Sequence, residues 1–334
     1  MKILVRLPNW LGDVVMSAVF VEQLKTIYPD DVIDVIIKKE LVDVVELFPS
    51  VRNIFPFSKK ENSGPIGAYS FGKIISQKEN YNLFFCLPES FSSALMGIAT
   101  GAKKRVGFSK EFRSFLLSHS YKRQTNIHRV EQYNFLLERY FDKKLNPNEI
   151  KLKNSGADIS HLLDLTNGKK KIILNFNSEA DSRRMPLDKA VSISDKLLSE
   201  IDAEYIFIGT EREKSFAEEI IKRQTSSAQI KNLCGKTSLK ELAAVFQNAN
   251  LVVTTDSGPA HLANALGTKT IVFFGAGDDA ITSPYNKTNL HIYRSDAWCQ
   301  RCVSNTCKLG TQICLAEIKE EQVTEIAKRM MEEK

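Results

Sequence analysis

The chain has 334 residues, enough at ~150 residues per domain for about two domains that each bury a core. Hydrophobic residues make up 43% and charged residues 26%, a globular composition that excludes wholesale disorder. The formal net charge of +6 is too small to indicate nucleic acid from the total alone, and six cysteines are too few for a disulfide scaffold.

Met1 to Arg6, with Asp13 soon after, lack the long apolar stretch of a signal peptide, and no window of about 18 residues is apolar enough to span a bilayer. The expectation is a cytoplasmic protein. Ile3-Leu4-Val5 is a short apolar run that enters a Pro/Gly loop, as a buried parallel strand does. Val14, Ala18, Val21, Leu24 and Tyr28 then recur at helical spacing until Pro29 stops them. Strands are predicted over Val32–Ile37, Val51–Phe55, Asn82–Leu87 and Lys104–Phe108, with helices at Leu41–Leu47 and Phe91–Ala99. This alternation indicates a doubly wound α/β domain.

Asn/Pro/Gly punctuation between Asn146 and Lys171 marks a boundary, giving an amino-terminal domain over 1–155 and a second over 168–315. In the second, strands are predicted at Lys171–Phe176, Tyr205–Ile208, Leu251–Thr254 and Thr270–Phe274. Helices are predicted at Asp188–Leu198, from Arg212, at Leu239–Phe246 and at Pro259–Leu266. A charged amphipathic helix from Lys319 to Met331 dominates the tail, 316–334, and is a candidate to pack back toward the amino-terminal domain. Two such domains are expected to face a central cleft at the carboxyl ends of their sheets.

The sharpest local signal is Thr255-Asp256-Ser257-Gly258-Pro259-Ala260-His261. A strand enters a tight turn, and Pro259 is read at the first helical position, where its missing N–H costs nothing. The N–H groups of such a helix terminus suit a diphosphate; the same residues also describe a well-capped helix with His261 packed below. Asp13 likewise has two readings, a helix N-cap or a carboxylate at the end of the first strand.

Together with Ala265-Leu266-Gly267-Thr268 and Phe273-Phe274-Gly275, that segment resembles the signature of glycosyltransferase family 9, the ADP-heptose–lipopolysaccharide heptosyltransferases. Trp10-Leu11-Gly12-Asp13 and Leu87-Pro88-Glu89-Ser90-Phe91-Ser92-Ser93 are similar to further family segments, in the same order. The resemblance implies a GT-B fold of two Rossmann-like domains, the acceptor mostly on the first and the nucleotide sugar mostly on the second. It also implies metal-independent, inverting transfer of heptose from ADP-heptose to the lipopolysaccharide inner core, with no cofactor required for catalysis. On this reading Asp13 is the general base, as a single displacement at an anomeric carbon requires. The donor is held by Ser178, Arg183, Glu211, Asp256, Ser257, Gly258 and His261. Arg183 stands where the family has Lys, and Phe176-Asn177 replaces its Pro-Gly, so a different nucleotide sugar is an alternative.

Eight basic residues fall between Lys103 and Arg129, with Glu111 as the single acid, so this stretch carries the whole positive excess. An anionic lipopolysaccharide core is the partner it suits, rather than nucleic acid, since no nucleic-acid motif is present. Lys103, Lys104, Arg105, Ser90 and Ser93 are the acceptor-binding candidates, and the inner-leaflet membrane surface is a candidate peripheral partner. Cys299-x₂-Cys302-x₄-Cys307-x₆-Cys314 has thiolates enough for one tetrahedral zinc. Reduced thiols or occasional disulfides are the alternatives, and a family resemblance in this stretch suggests a structural element. A zinc-stapled, non-catalytic protein binding RNA or an anionic surface is the alternative of another class.

Overall fold

A computed structural model describes residues 1–110, 112–225 and 230–333, so Glu111 and the final Lys334 lie outside the described residues. The chain divides into two compact units, Met1–Lys153 and Asn154–Lys334.

The first unit runs β1 (Lys2–Arg6), α1 (Leu11–Ile27), β2 (Val32–Lys38), α2 (Val42–Val45), β3 (Ile54–Phe57), α3 (Gly64–Lys78), β4 (Leu83–Cys86), α4 (Phe91–Ala99), β5 (Lys104–Phe108), β6 (His119–Tyr121) and α5 (Arg129–Phe141). Its six strands are all parallel and lie in the order β3-β2-β1-β4-β5-β6. Parallel pairing forces each connection to cross over the sheet, so both faces are covered and the central strands read as unbroken apolar runs. Ile3, Leu4, Val5, Phe84 and Phe85 are accordingly fully buried. Sequence periodicity did not indicate α3, α5 or β6. The first has only Ala68, Gly72 and Ile75 buried, and the last is three residues long.

The second unit contains β7 (Lys171–Asn175), α6 (Leu187–Glu200), β8 (Glu204–Phe207), α7 (Lys214–Lys222), β9 (Ile230–Asn232), α8 (Leu239–Gln247), β10 (Leu251–Thr255), α9 (Gly258–Ala265), β11 (Thr270–Phe273), α10 (Asp279–Thr282), β12 (Leu290–Tyr293), α11 (Ile313–Ala316) and α12 (Glu320–Glu332). The parallel order β12-β11-β10-β7-β8-β9 repeats the topology of the first unit. α12, a candidate to turn toward the amino-terminal domain, places Val323, Ala327 and Met330 in the core of the second unit. There Lys189 on α6 binds Glu320 at 2.8 Å. Among the described residues no helix is long and apolar enough to cross a membrane.

In each sheet the strand order reverses once, between β1 and β4 and between β7 and β10. Loops leaving the carboxyl ends of those strands diverge to opposite faces, which opens the crevice where such folds take ligands. Two wholly buried guanidinium groups hold the loops of the first unit in place. Arg6, at the end of β1, donates to the Leu7 and Ile36 carbonyls and, at 2.5 Å, to Asn9 Oδ1. Arg113 donates to the carbonyls of Phe108 (2.9 Å), Pro88 (2.5 Å) and Ser90 (3.1 Å). Replacing Arg113 with Met would leave three carbonyls without their donor. Arg113→Met should therefore lower unfolding free energy by about 2–4 kcal/mol in a denaturant titration, and a loss under 1 kcal/mol would reject its role as a loop pin.

Candidate functional site

Asp13 lies in the first turn of α1, whose N-cap position is Trp10 with no side-chain cap. The capping reading of Asp13 therefore does not hold, and its carboxylate is directed elsewhere. α1 packs on α5, which brings Arg129 Nε to 3.6 Å from Asp13 Oδ1, while the Tyr133 hydroxyl donates to the same oxygen at 3.5 Å. Burial, and then the charge of Asp13, raise the ionisation of Tyr133 well above the usual phenol range, so it stays a donor. Arg129 and Tyr133 carry no local sequence signal that points to Asp13, more than a hundred residues away.

Across the switch point, Ser90 caps α4 by accepting from the Ser93 N–H at 3.4 Å, and their hydroxyls lie 2.8 Å apart. Glu89 forms 3.3 Å ion pairs with both Lys110 and Arg123. These groups share the carboxyl edge of the first sheet with Asp13. Lys103, Lys104 and Arg105 do not: they stand at the start of β5, whose register pairs Lys104 with Leu83 at the start of β4. Because the sheet is wholly parallel, that is the amino edge, opposite Asp13. Arg105 is further committed to the Leu116 and Ala102 carbonyls at 2.9 Å each, and Arg113 is inside the protein. The basic stretch thus divides among both edges and the core.

In the second unit, Asn175 at the end of β7 donates to Thr254 Oγ1 (3.0 Å) and Ser257 Oγ (3.1 Å). It ties the two strands that flank the switch point. Thr255 Oγ1 donates to the Asn177 carbonyl at 2.5 Å. Ser257 is the N-cap residue of α9 but makes no side-chain cap, and Gly258 is the first helical residue, so Pro259 sits second rather than first. No side chain covers the α9 terminus, where the Ala260 N–H turns back to the Ser257 carbonyl at 3.1 Å, and His261 in its first turn is buried.

Asp256, also buried, meets Arg183 Nη1 at 3.3 Å. A Cβ added to Gly277 would lie 2.0 Å from Asp256 Oδ2, so the position admits only glycine while the carboxylate stays there. Burial pushes the Asp256 carboxyl up to about 6, against the pull of Arg183 and Arg294. Arg294, on the far side of the sequence motif, was not foreseen. It rests over the Phe274 ring and binds Asp279.

Ser178 is buried in the loop after β7, its carbonyl accepting from Arg184 at 3.3 Å. Glu213, not Glu211, closes the capping box with Thr210. The Glu211 carboxylate is 72% exposed, 3.6 Å from Lys214, and rests against Gly235, where a Cβ would meet it at 2.0 Å.

All four clustered cysteines line one cavity of about 410 Å³, together with Ser182 and Ser304, and all are free thiols. Burial pushes the Cys314 thiol up to about 11, with Cys299, Cys307 and Cys302 adding to the rise. As placed, no three His, Cys, Asp or Glu side chains among the described residues can hold a metal ion together. The cysteines share a cavity without forming a ligand set.

Comparison with known proteins gives the family and the fold. The family model described as glycosyltransferase family 9 (heptosyltransferase) matches residues 69–313. The chain is 28% identical to a lipooligosaccharide heptosyltransferase 2 of Campylobacter jejuni over 99% of this chain and 98% of that protein. It is 25% identical to the lipopolysaccharide heptosyltransferase 2 of Escherichia coli, over 85% of each. In fold it is similar to the structure of Escherichia coli ADP-heptose lipopolysaccharide heptosyltransferase II, with a TM-score of 0.84, 22% identity and coverage of 99% and 98%. A family 9 glycosyl transferase from Veillonella parvula has the same TM-score at 20% identity, over 99% and 97%.

A raised carboxylate pKa has a definite sign. Asp256 adds stability at low pH that is lost as pH rises from 3.8 through about 6. Asp256→Asn removes that loss, so the variant should match the parent at pH 4 and exceed its stability at pH 7.5 by on the order of 1–3 kcal/mol. Denaturant titrations at the two pH values check this; a variant weaker at pH 7.5 would contradict the burial account.

Proposed function

The chain belongs to glycosyltransferase family 9, and we propose that this glycosyltransferase moves heptose from ADP-heptose to the anionic inner core of lipopolysaccharide, with inversion at the anomeric carbon. One observation carries the reading: the uncapped α9 terminus opens beside Arg183 and a buried Asp256 at the switch point of the second sheet.

Asp13 takes the proton of the acceptor hydroxyl as that oxygen attacks the anomeric carbon, and the bond from that carbon to the ADP oxygen breaks on the opposite side. Negative charge then grows on the diphosphate. The Ser257 and Gly258 amides and the Arg183 guanidinium are arranged to neutralise it without reorganising, as catalysis by preorganised donors requires. Glu211 accepts from the ribose hydroxyls, and Ser178 and His261 support the phosphate pocket. Arg129 and Tyr133 orient the base. The anionic groups of the acceptor are held by Lys110 and Arg123 near Ser90 and Ser93, at the edge that carries Asp13, rather than by Lys103, Lys104 and Arg105. Such an acceptor is membrane-anchored, so the protein works at the inner-leaflet surface on the cytoplasmic side. The four-cysteine loop belongs to this reading as a structural element outside the bond-making step.

Asp13→Asn should reduce transfer by about 10³-fold or more while ADP affinity, measured by calorimetry, stays within about twofold. Transfer at the parent rate would overturn the assignment of the base. Lys103→Ala with Lys104→Ala should leave the acceptor KM within about twofold, and Lys110→Ala should raise it several-fold with a weaker salt dependence. The reverse pattern would return the acceptor to the amino edge. Calorimetry against ADP, UDP and GDP tests the nucleotide, and preference for UDP or GDP would favour the alternative donor.

A further inference from the structure

The most exposed large apolar side chains of the first unit, among its described residues, gather at the carboxyl edge of its sheet. Trp10 follows β1, Ile66 lies in the first turn of α3 after β3, and Phe112 follows β5. Because the sheet is wholly parallel, residues that directly follow its strands share one edge. Phe112 is 95% exposed and Ile66 82%. Exposed Phe115 has its ring centroid 6.3 Å from that of Phe91, the first residue of α4. Phe91 continues inward to the buried cluster of Ala94, Leu116 and Leu117. β3 and β5 lie four positions apart in the sheet, with β1 midway between them. The strands that carry Ile66 and Phe112 are thus separated by roughly 19 Å.

Phe112 is held outward by its neighbour. Its φ of 55° is in the left-handed region, where a bulky side chain is rarely found. The next residue, Arg113, is wholly buried and fastened to the Phe108, Pro88 and Ser90 carbonyls. Its N–H donates to the Lys110 carbonyl at 3.1 Å, and its carbonyl accepts from the Leu116 N–H at 2.9 Å. A turn pinned from inside and strained at its tip keeps an apolar ring in water, which is unfavourable until something covers it. Charge at this edge says what does. Lys59 and Lys60 are exposed just before α3, and Lys122 is exposed after β6. Glu61 and Glu89 beside them are already paired, with Lys39 and with Lys110 and Arg123. A protein partner needs a continuous patch of about 800 Å² on each side. Single apolar side chains set apart among lysines are instead the pattern of an anchor in the surface of an anionic bilayer.

We propose that the carboxyl edge of the first unit docks on an anionic bilayer. Phe112, with Ile66 and Trp10, enters the boundary between headgroups and acyl chains, and Lys59, Lys60 and Lys122 meet the headgroup phosphates. Phe112 is the chief anchor, because it is the most exposed and its backbone is fixed by Arg113. Burial at such a boundary reaches about 5–10 Å, so side chains enter the bilayer and the sheet stays outside it. Asp13 and Ser90 occupy the same edge, so docking sets them against the membrane from which a lipid-anchored acceptor emerges. Only that consequence rests on the transfer reading; the docking surface does not.

The full-length protein is floated with vesicles of phosphatidylethanolamine and phosphatidylglycerol, and separately with vesicles of phosphatidylcholine alone. Binding to the anionic vesicles is expected to be about tenfold or more tighter than to the neutral ones and to weaken with salt. Phe112→Ser should keep the parent's melting temperature and weaken binding by about tenfold or more, and Phe112→Trp should bind as the parent does. Lys59→Ala with Lys60→Ala should weaken binding by about tenfold, on anionic vesicles only. In Trp298→Phe, Trp10 is the remaining tryptophan; its emission should shift to the blue on anionic vesicles and be quenched by brominated acyl chains. Failure to bind either vesicle, or binding that Phe112→Ser leaves unchanged, would overturn the proposal. A lipid-free dimer that Phe112→Ser dissociates would also overturn it, in favour of a second copy. Transfer is a separate readout: Phe112→Ser should slow transfer to a vesicle-borne acceptor by about tenfold and leave transfer to a deacylated one within about twofold. If the parent transfers to neither acceptor, the transfer reading fails, and vesicle binding still decides the docking surface.

Discussion

Parallel strand pairing is the constraint from which the rest of this molecule follows. Among the described residues twelve strands in two sheets run without a hairpin, so each chain return crosses a face, and ligand loops of such sheets leave from the carboxyl ends. The order of strands then reverses at β1/β4 and at β7/β10, and the loops there part to opposite faces. Asp13 and Ser90 flank the first reversal, and Asn175 and Ser257 flank the second. A carboxylate with a serine-capped helix stands at one, and an uncapped helix end with an arginine at the other. The difference in chemistry between two units of the same topology thus lies wholly in the loops.

Those loops are held rigid by buried polar groups rather than by apolar contact. Arg6 and Arg113 are charges taken out of water, a costly burial that their several acceptors offset. Their acceptors include the Leu7 carbonyl and Asn9 Oδ1 on the segment that leads to Asp13, and the Pro88 and Ser90 carbonyls beside α4. In the second unit the same task falls to Asn175, which ties β7 to β10, and to Thr255, which holds the Asn177 carbonyl. Asp256 is the exception. Its burial is only partly offset by Arg183 and Arg294, so its carboxyl stays raised.

Much of this was legible in the sequence because it is local. Apolar runs and helical spacing indicate most of the central elements, and the Asp256–His261 segment declares a strand, a turn and a helix start within seven residues. Elements at the sheet edges, β6 and β9, are too short for periodicity to register, and α3 buries too few residues to display a stripe. Contacts between distant segments, such as Tyr133 on Asp13 or Arg294 near Asp256, have no signature in either segment alone. Charge was the most misleading quantity. Eight basic residues adjacent in sequence suggest one patch, but a parallel strand carries its two ends to opposite edges, and β5 separates Lys104 from Lys110.

That separation sets a range as well as a direction. A strand of five residues such as β5 spans roughly 16 Å, about twice the ~8 Å over which salt at physiological strength lets an exposed charge be felt. Lys103 and Lys104, at the opposite edge, are therefore largely screened from Asp13, whatever they do at their own edge. The +6 of the whole chain is consequently a property of its behaviour in bulk, such as solubility and long-range approach to an anionic surface. The field at the Asp13 carboxylate is set mainly by the few charges within one Debye length of it, Arg129 first among them.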